Sequence, residues 1–515
     1  MIRRNTAPAS IAWILAILTF TGTGEAANSS ESLAPTNARF KTSFEEVTLP
    51  GREHMGFLGG QFLYDLAPWL SFGPAGYGAL TGERGGFITL GIAADVHYPL
   101  TDWLSANAGY FVGAGGGRGG YTLSGGGLML RSHAGLDVHM GRWGILGAGV
   151  SHLDFPNGHI ESTQPFVAYS YPFNTLLSSG WSMPGNSLLP GADTLAANEQ
   201  EFAIVLRHYE IPGSVETDAG EPQNPTLQLV GAEWLTYLND NAFLKIEGEG
   251  ANGGDSQGYM QVFFGGGYRF EMTRSTALKL AASAGVAGGG AVDTGGGLLV
   301  DAQVSLQQML SERLYAEFGV SYVDAPQASF KAASLAAKLG YRFGIPDVGD
   351  GPVRLSQLDG YRTRNLRFRF IHQRYIKADP NWRSHHADLN VDNLGVAMDY
   401  FPHSNLYLTG QGIAAYDGEA GAYMAGLLGG GLHTALFGTP FYAEIEALAG
   451  AAGGGGLDVN GGLVWQANAN LGYQFTDKLG LSAGVGRMEA PKGNYRANVV
   501  GLGVIYRFGV FVRED

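Results

Sequence analysis

The sequence contains no cysteine, so it can form no disulfide and offers no thiolate for catalysis. Charged residues are also scarce, at 15%, against the roughly 25% usual in soluble domains. After the amino-terminal segment, no apolar run reaches the about 18 residues that a membrane-spanning helix needs. The net charge of −14 argues against a nucleic-acid partner. Together these absences favour strands that turn one face to lipid.

The amino terminus has the layout of an export signal. Arg3 and Arg4 precede a short apolar run at residues 11–18, and small residues follow up to Ala26. This order predicts a secretory signal peptide at residues 1–26. An exported chain without a membrane-spanning helix belongs in the periplasm, the exterior or the bacterial outer membrane.

Glycine is abundant, at 81 of 515 residues, and much of it lies in a stretch that occurs three times. The copies begin at Gly113, Ala287 and Ala452, and each leads on to an acidic-x-Pro loop around Pro156, Pro326 or Pro491. A spacing of about 165–170 residues is too long for a solenoid repeat, so the repeated unit is a whole small domain. No Gly-Lys-Ser/Thr follows the glycines, which excludes a phosphate loop. They are expected to serve tight hairpins and close backbone approach.

The strand signal is an alternation with period two. Eight alternating segments fit in each unit, and short turns alternate with longer loops, as in outer-membrane barrels. In residues 463–475, Trp465, Ala467 and Ala469 fall on one face, opposite Gln466, Asn468 and Asn470. Each unit ends on Tyr-x-Phe, at Phe173, Phe343 and Phe508, which resembles the carboxyl-terminal signal that outer-membrane barrels present to their assembly machinery.

These patterns predict an all-β fold, a transmembrane antiparallel β-barrel in three tandem eight-stranded units. The units are placed at residues 40–173, 202–344 and 366–509, with linkers at 174–201 and 345–365. The alternative is one barrel of about 24 strands, whose wide lumen should be water-filled and rich in charges. The long linkers, and the small polar residues on the inward faces, favour three separate barrels.

One family resemblance rests on the end of the first unit. His152-Leu-Asp154 precedes Pro156-Asn157-Gly158-His159-Ile160-Glu161, which resembles the carboxyl-terminal end of the eight-stranded outer-membrane lipid A 3-O-deacylases. The resemblance implies a hydrolytic triad of His, Ser and Glu, in which His152 matches the histidine and Glu161 the acid. Asp154 stands where the family has its serine nucleophile, and a carboxylate cannot be activated by histidine in that way. Ser151 and Ser162 are expected to face the other side of their strands.

Other candidate sites have simpler structural explanations. The second and third units lack the histidine and keep Asp324 and Glu489, which could start turns before proline. Asp293 and Asp458 lack the further oxygen ligands that calcium requires, and His385 and His386 lie in a polar loop. No metal or cofactor is expected. Side chains on the first strands of units two and three are expected to join a polar plug with neighbouring carboxylates and a lysine: Arg207, His208, His372, Arg374, Tyr375, Lys245, Glu247 and Glu249.

The function expected from the sequence is a non-enzymatic scaffold, surface-binding or export role in the bacterial outer membrane. A channel formed by one wide barrel is one alternative, and a lipid A-modifying esterase confined to the first unit is another. The expected partners are outer-membrane lipid and lipopolysaccharide, and the barrel assembly machinery during biogenesis. Other envelope proteins or an exported polymer are further candidate partners.

Overall fold

Alternating side chains give each strand an inward and an outward face, and such strands close into barrels in the structure, a computed structural model. It describes residues 32–181, 189–377, 380–384 and 389–513. The predicted signal peptide, together with His385 and His386, lies outside these ranges. Within them, no helix is long and apolar enough to cross a bilayer.

The first barrel follows the two-residue strand β1 (Ser32–Leu33). Its strands are β2 (Thr36–Thr48), β3 (His54–Ala67), β4 (Leu70–Thr81), β5 (Ile88–Pro99), β6 (Leu104–Gly116), β7 (Leu128–His139), β8 (Ile145–Asp154) and β9 (Glu161–Thr175). One helical turn, Tyr121–Ser124, lies between β6 and β7, and 3-10 turns occur at Pro50–Arg52 and Gly141–Trp143. Strands β2 and β9 pair with each other, which closes the barrel.

The second barrel follows the short strand β10 (Leu177–Ser179) and repeats this order. Its strands are β11 (Ala197–Glu210), β12 (Thr226–Tyr237), β13 (Ala242–Gly253), β14 (Met260–Glu271), β15 (Thr276–Gly288), β16 (Leu298–Met309), β17 (Leu314–Asp324) and β18 (Lys331–Pro346). Pairing of β11 with β18 closes it.

The third barrel follows β19 (Val353–Arg354) and a 3-10 turn at Leu355–Leu358. Its strands are β20 (Arg362–Lys377), β21 (Val391–His403), β22 (Leu406–Asp417), β23 (Met424–Ala435), β24 (Phe441–Gly453), β25 (Leu463–Gln474), β26 (Leu479–Glu489) and β27 (Arg496–Val512). Pairing of β20 with β27 closes it. Three closed eight-stranded barrels are therefore confirmed, and the alternative of one barrel of about 24 strands is wrong, because each first strand pairs with the last strand of its own unit.

Each barrel has a turn end, with short connections, and a loop end, with longer ones. The turn end carries both termini of every barrel, which in outer-membrane barrels is the periplasmic side. The connecting segments gather there around a small apolar cluster of Leu176, Val353, Leu358, Tyr361 and Phe511. Trp181 of the first connecting segment packs against Phe401 and Arg507 of the third barrel, with its ring centroid 4.5 Å from that of Phe401. The turn end thus ties the three barrels together.

The barrels pack in a closed ring, in which the third strand of each contacts the fifth strand of another: β4 with β15, β13 with β24, and β22 with β6. Small residues allow this approach near the loop end. A Cβ atom added at Gly78 would lie 2.7 Å from Val286 Cγ2, and one at Gly250 would lie 3.0 Å from Ala451 Cβ. The arrangement is a head-to-tail ring with pseudo-threefold symmetry inside one chain.

The repeated glycine hairpins lie where the loop ends of neighbouring barrels meet. Gly85 N donates to Gly295 O (2.8 Å) between the first and second barrels, and Gly421 N donates to Gly125 O (2.9 Å) between the third and first. At Gly258 an added Cβ would come within 2.9 Å of Gly454 N, and this glycine has a φ of +85°. Close backbone contact and positive φ therefore account for the glycines.

Candidate functional site

The loop-end half of each barrel interior is filled by apolar side chains. In the second barrel this cluster includes Tyr209, Leu227, Tyr259, Phe263 and Phe330, all at most 1% exposed. In the third barrel Trp382 reaches in from the first loop and stacks on Tyr495, with centroids 5.6 Å apart. The loops therefore fold over the barrels and close them, instead of standing free above them.

Below the apolar cluster, ion pairs fill the second barrel. Arg207 contacts Glu247 (Nη2–Oε1, 2.5 Å) and Glu249 (Nε–Oε2, 2.9 Å), and Lys245 Nζ lies 2.9 Å from Glu247 Oε2. Further toward the turn end, Lys279 contacts both Glu201 (2.6 Å) and Glu317 (2.9 Å). Buried charges are tolerated when they are paired in this way. The interior is a packed ionic core.

The other two barrels also have buried ion pairs in the lumen, formed by different residues. In the first barrel, Lys41 pairs with Asp95 (2.5 Å) and Arg131 with Glu45 (2.7 Å). In the third, Arg367 pairs with Asp399 (2.6 Å), and Arg369 bridges Asp399 (2.9 Å) and Glu446 (3.1 Å). Each lumen is thus occupied by an apolar cluster above an ion-pair network.

The predicted polar plug is correct for only half of its residues. Arg207, Lys245, Glu247 and Glu249 form it, whereas His208 faces outward and contacts Glu210 (2.9 Å). In the third barrel, Tyr375 is buried in the apolar cluster. His372 and Arg374 lie outside, 3.8 and 3.9 Å from Asp392 oxygens. Adjacent residues of a strand point to opposite faces, so Arg207 and His208 could not both enter the lumen.

The outward faces are apolar. Exposed fractions of 50–63% are found on all three barrels, at Leu146, Val167, Leu335, Leu471 and Val485. At the turn end of the first barrel, Trp69, Trp103 and Trp143 are 58–66% exposed, in the manner of an interfacial aromatic belt. The chain is an outer-membrane β-barrel protein. In outer-membrane barrels the end with the longer loops faces the outer leaflet and the cell surface.

The residues of the deacylase resemblance lie on the outward face of the first barrel, at the loop end. His152, Asp154 and Glu161 all point away from the lumen, on the neighbouring strands β8 and β9. Asp154 is directly opposite Glu161, and His152 is directly opposite Thr163. His152 Nδ1 lies 2.9 Å from Thr163 Oγ1. The structure thus brings an imidazole, two carboxylates and the Thr163 hydroxyl together on the outward face, and Ser132 of β7 is opposite His152 on its other side.

Neither Ser151 nor Ser162 can act as a nucleophile beside His152. Ser151 and Ser162 are buried inside the barrel, and the Ser151 hydroxyl donates to Glu45. Thr163 supplies the hydroxyl that His152 contacts on the lipid side. The family motif places its nucleophile on the strand of the histidine, so this contact could not be found from the motif. The cross-strand register could have revealed it.

The recurring carboxylates differ between barrels in what they face. Asp324 is opposite Lys331, and Glu489 is opposite Arg496, so an acid meets a base in the second and third barrels. In the first barrel Asp154 meets another acid, Glu161. The like-charged pair is thus specific to the barrel that keeps the histidine.

The aspartates in the glycine hairpins hold the last loop of their own barrel. Asp293 Oδ2 accepts from Ser329 N (3.4 Å), and Asp458 Oδ2 accepts from the Asn494 side-chain amide (2.8 Å). Among the described residues, no cluster of three or more His, Asp or Glu side chains has a geometry that could hold a metal ion.

Comparison with known proteins gives only distant likenesses. No protein-family model and no curated protein matches the chain. It is similar to OpdQ of Pseudomonas aeruginosa, with 12% identity over 93% of this chain and 98% of that one and a TM-score of 0.20. It is also similar to the siderophore receptor PirA of Acinetobacter baumannii, with 8% identity over 92% and 80% and a TM-score of 0.27. TM-scores this low say nothing about arrangement or function.

Proposed function

We propose that the protein is a non-enzymatic scaffold of the outer membrane, which holds three filled barrels in a fixed ring and presents their joined loops at the cell surface. The filled interiors carry this proposal. An apolar cluster closes each loop end, and buried ion pairs such as Arg207 with Glu247 occupy the space below it. A barrel packed in this way is suited to anchoring and display rather than to passage of solutes.

The partners follow from this role. Outer-membrane lipid and lipopolysaccharide surround the apolar faces, and the assembly machinery engages the Tyr-x-Phe endings during biogenesis. The joined loops of the three barrels form the surface that another envelope protein or an exported polymer would contact.

Conductance of the full chain in a planar bilayer tests the proposal. We expect no stable unitary current, because the lumens are packed, while a general porin in the same bilayer gives stepwise conductance. Reproducible unitary steps from the purified full chain would contradict a scaffold of filled barrels.

A second candidate function, an acyl-ester hydrolase confined to the first barrel, is favoured by the contact between His152 and Thr163. In this hypothesis the Thr163 hydroxyl attacks the ester carbonyl and His152 takes its proton. The alcohol part of the lipid leaves, and water then releases the acid. The carboxylates Asp154 and Glu161 lie close enough to stabilise a protonated imidazole.

Mass spectrometry of lipid A from cells with and without the protein tests the hydrolase. Loss of an acyl chain is expected with the wild-type chain and is expected to be abolished in Thr163→Val and His152→Ala. Tyr322 holds the position of His152 in the second barrel, so Tyr322→Phe is the control and should behave as wild type. Unchanged lipid A in all strains removes this candidate, and acyl loss that persists in Thr163→Val excludes Thr163 as the nucleophile.

A further inference from the structure

The outer face of the third barrel carries an apolar groove of about 620 Å³. Its floor is made by small side chains on three adjacent strands, Ala443, Ala469 and Ala483, and its walls include Leu471, Val485 and Leu502. The walls are 52–63% exposed, so the groove opens to the lipid. The groove is shallow and open on its lipid side, and its apolar lining suits an acyl chain lying against the barrel wall.

Cross-strand register aligns the same three floor positions in the other barrels. In the second barrel they hold larger side chains, Leu278, Val304 and Phe318. In the first barrel they are alanines again, at Ala106, Ala134 and Ala148. The groove is therefore a local property of the sequence and does not follow from the barrel fold itself.

Arginines stand at the loop-end margin of the groove in the third barrel. Arg487 is two residues from Val485 on the same outward face, and Arg496 and Arg374 lie on the next two strands, β27 and β20. The Arg374 and Arg487 side chains are 50% and 35% exposed, and Arg496 is exposed. Arg487 and Arg496 thus stand at the loop-end side of the apolar groove, and Arg374 lies beside it, opposite Val500 on β27.

Nearby charges leave the margin basic. Arg487 Nε contacts Glu489 (2.9 Å) and its Nη1 donates to Asn498 (2.9 Å), while Arg374 lies 3.9 Å from Asp392. Lys492 adds a further exposed cation in the adjoining loop. Asp392 is in turn opposite the exposed Asp417, so four cations face three acids and the margin keeps a net positive charge.

The aligned margin of the first barrel has the opposite sign. Glu46 occupies the position of Arg374, Glu161 that of Arg496, and His152 that of Arg487, with Asp154 beside them. The two barrels share the alanine floor but differ in charge at its margin. The first barrel is therefore an internal comparison in which the alanine floor is kept and the basic margin is absent.

We propose that the third barrel binds a phosphorylated glycolipid of the outer leaflet, with phosphate on Arg374, Arg487 and Arg496 and an acyl chain in the groove below them. Guanidinium groups bind phosphate in bidentate fashion and keep their charge at an interface. Neighbouring strands lie about 4.8 Å apart and each residue rises about 3.4 Å along a strand, so Arg374, which is opposite Val500, lies roughly 14 Å from Arg496. This spread suits a headgroup larger than a single phosphate. The proposal rests on the loop end facing the outer leaflet.

Native mass spectrometry of the full chain, titrated with purified lipid A, tests the site. Arg487→Glu combined with Arg496→Glu is expected to weaken lipid A retention by about tenfold or more. Ala483→Phe installs the residue that the second barrel already holds at this position, so it should fold, and it is expected to weaken retention as well. Arg274→Glu, which reverses an exposed charge in the turn between β14 and β15 at the opposite end of the barrels, is the control and should retain lipid A like the wild type.

The outcomes separate the possibilities. If the arginine variant and the Ala483→Phe variant both retain as much lipid A as the wild type, the proposed site is overturned. Equal retention of phosphatidylglycerol and lipid A by the wild type overturns the glycolipid assignment. Arg374→Gln with Arg487→Gln gives a neutral version if charge reversal prevents folding, as judged by the mobility shift of unheated samples. The bilayer conductance of the same preparation reports on the scaffold independently, since lipid retention and a closed lumen do not depend on each other.

Discussion

Replacing Arg207 with methionine is expected to lower the free energy of unfolding of the second barrel by about 3–5 kcal/mol. The guanidinium contacts Glu247 and Glu249, and all three side chains are fully buried. Its removal leaves two carboxylates in the lumen with one cation fewer, and an unpaired buried charge is far costlier than a missing pair. Denaturant titration of the full chain, followed by the electrophoretic mobility of unheated samples, measures the effect.

The exposed pair of Arg354 with Asp193 supplies the matched control. These side chains are 63% and 65% exposed and 3.5 Å apart, so Arg354→Met should change stability by at most about 1 kcal/mol. Adding Glu247→Gln and Glu249→Gln to Arg207→Met should recover much of the loss, since the carboxylates then carry no charge. An Arg207→Met protein with an unchanged midpoint would show that the ion pairs are not buried in the membrane-embedded state.

Replacing Gly250 with leucine is expected to separate the second and third barrels at the loop end and to cost about 1–3 kcal/mol. A Cβ atom at Gly250 already approaches Ala451 Cβ to 3.0 Å, and a leucine extends well beyond it. Separation exposes the backbone contact between Gly258 and Gly454. A lower denaturation midpoint and faster proteolysis of the loops at residues 254–259 and 454–462 are the expected results.

Gly248 provides a control on the same strand and the same face. A Cβ atom added there meets no heavy atom within 4 Å, so Gly248→Leu should leave the midpoint and the proteolysis rate near those of the wild type. Equal effects of the two substitutions would mean that leucine disturbs β13 itself, and would argue against the ring contact as the cause.

The strand pattern was predictable because side-chain direction is a local property of a strand. Gln466 is buried and Trp465 faces out, as the period of two predicts. The number of strands per unit followed from the same alternation, together with three closing aromatic motifs. The choice of three barrels over one followed from the long connections between units, which allow each first strand to return to its own last strand.

Contacts between barrels were not predictable, because packing of outward faces leaves no periodic signal in any single strand. Gly78 against Val286 and Gly250 against Ala451 are recognisable only once the strands are placed side by side. The groove of the third barrel was predictable only in part. Its alanines could be found by aligning the three units, but its meaning depends on knowing that Ala483 and Phe318 hold the same outward position.

The closed ring of barrels has a consequence for stoichiometry. In an assembly of three identical chains, any residue on an outward face occurs three times around the axis. Covalent joining removes that constraint while the small residues at the barrel contacts keep the ring closed. The acidic margin at Glu161, the filled floor at Phe318 and the basic margin at Arg496 are therefore single features of one particle. Each molecule would carry one glycolipid on one defined side, so the ring would be asymmetric within the plane of the membrane.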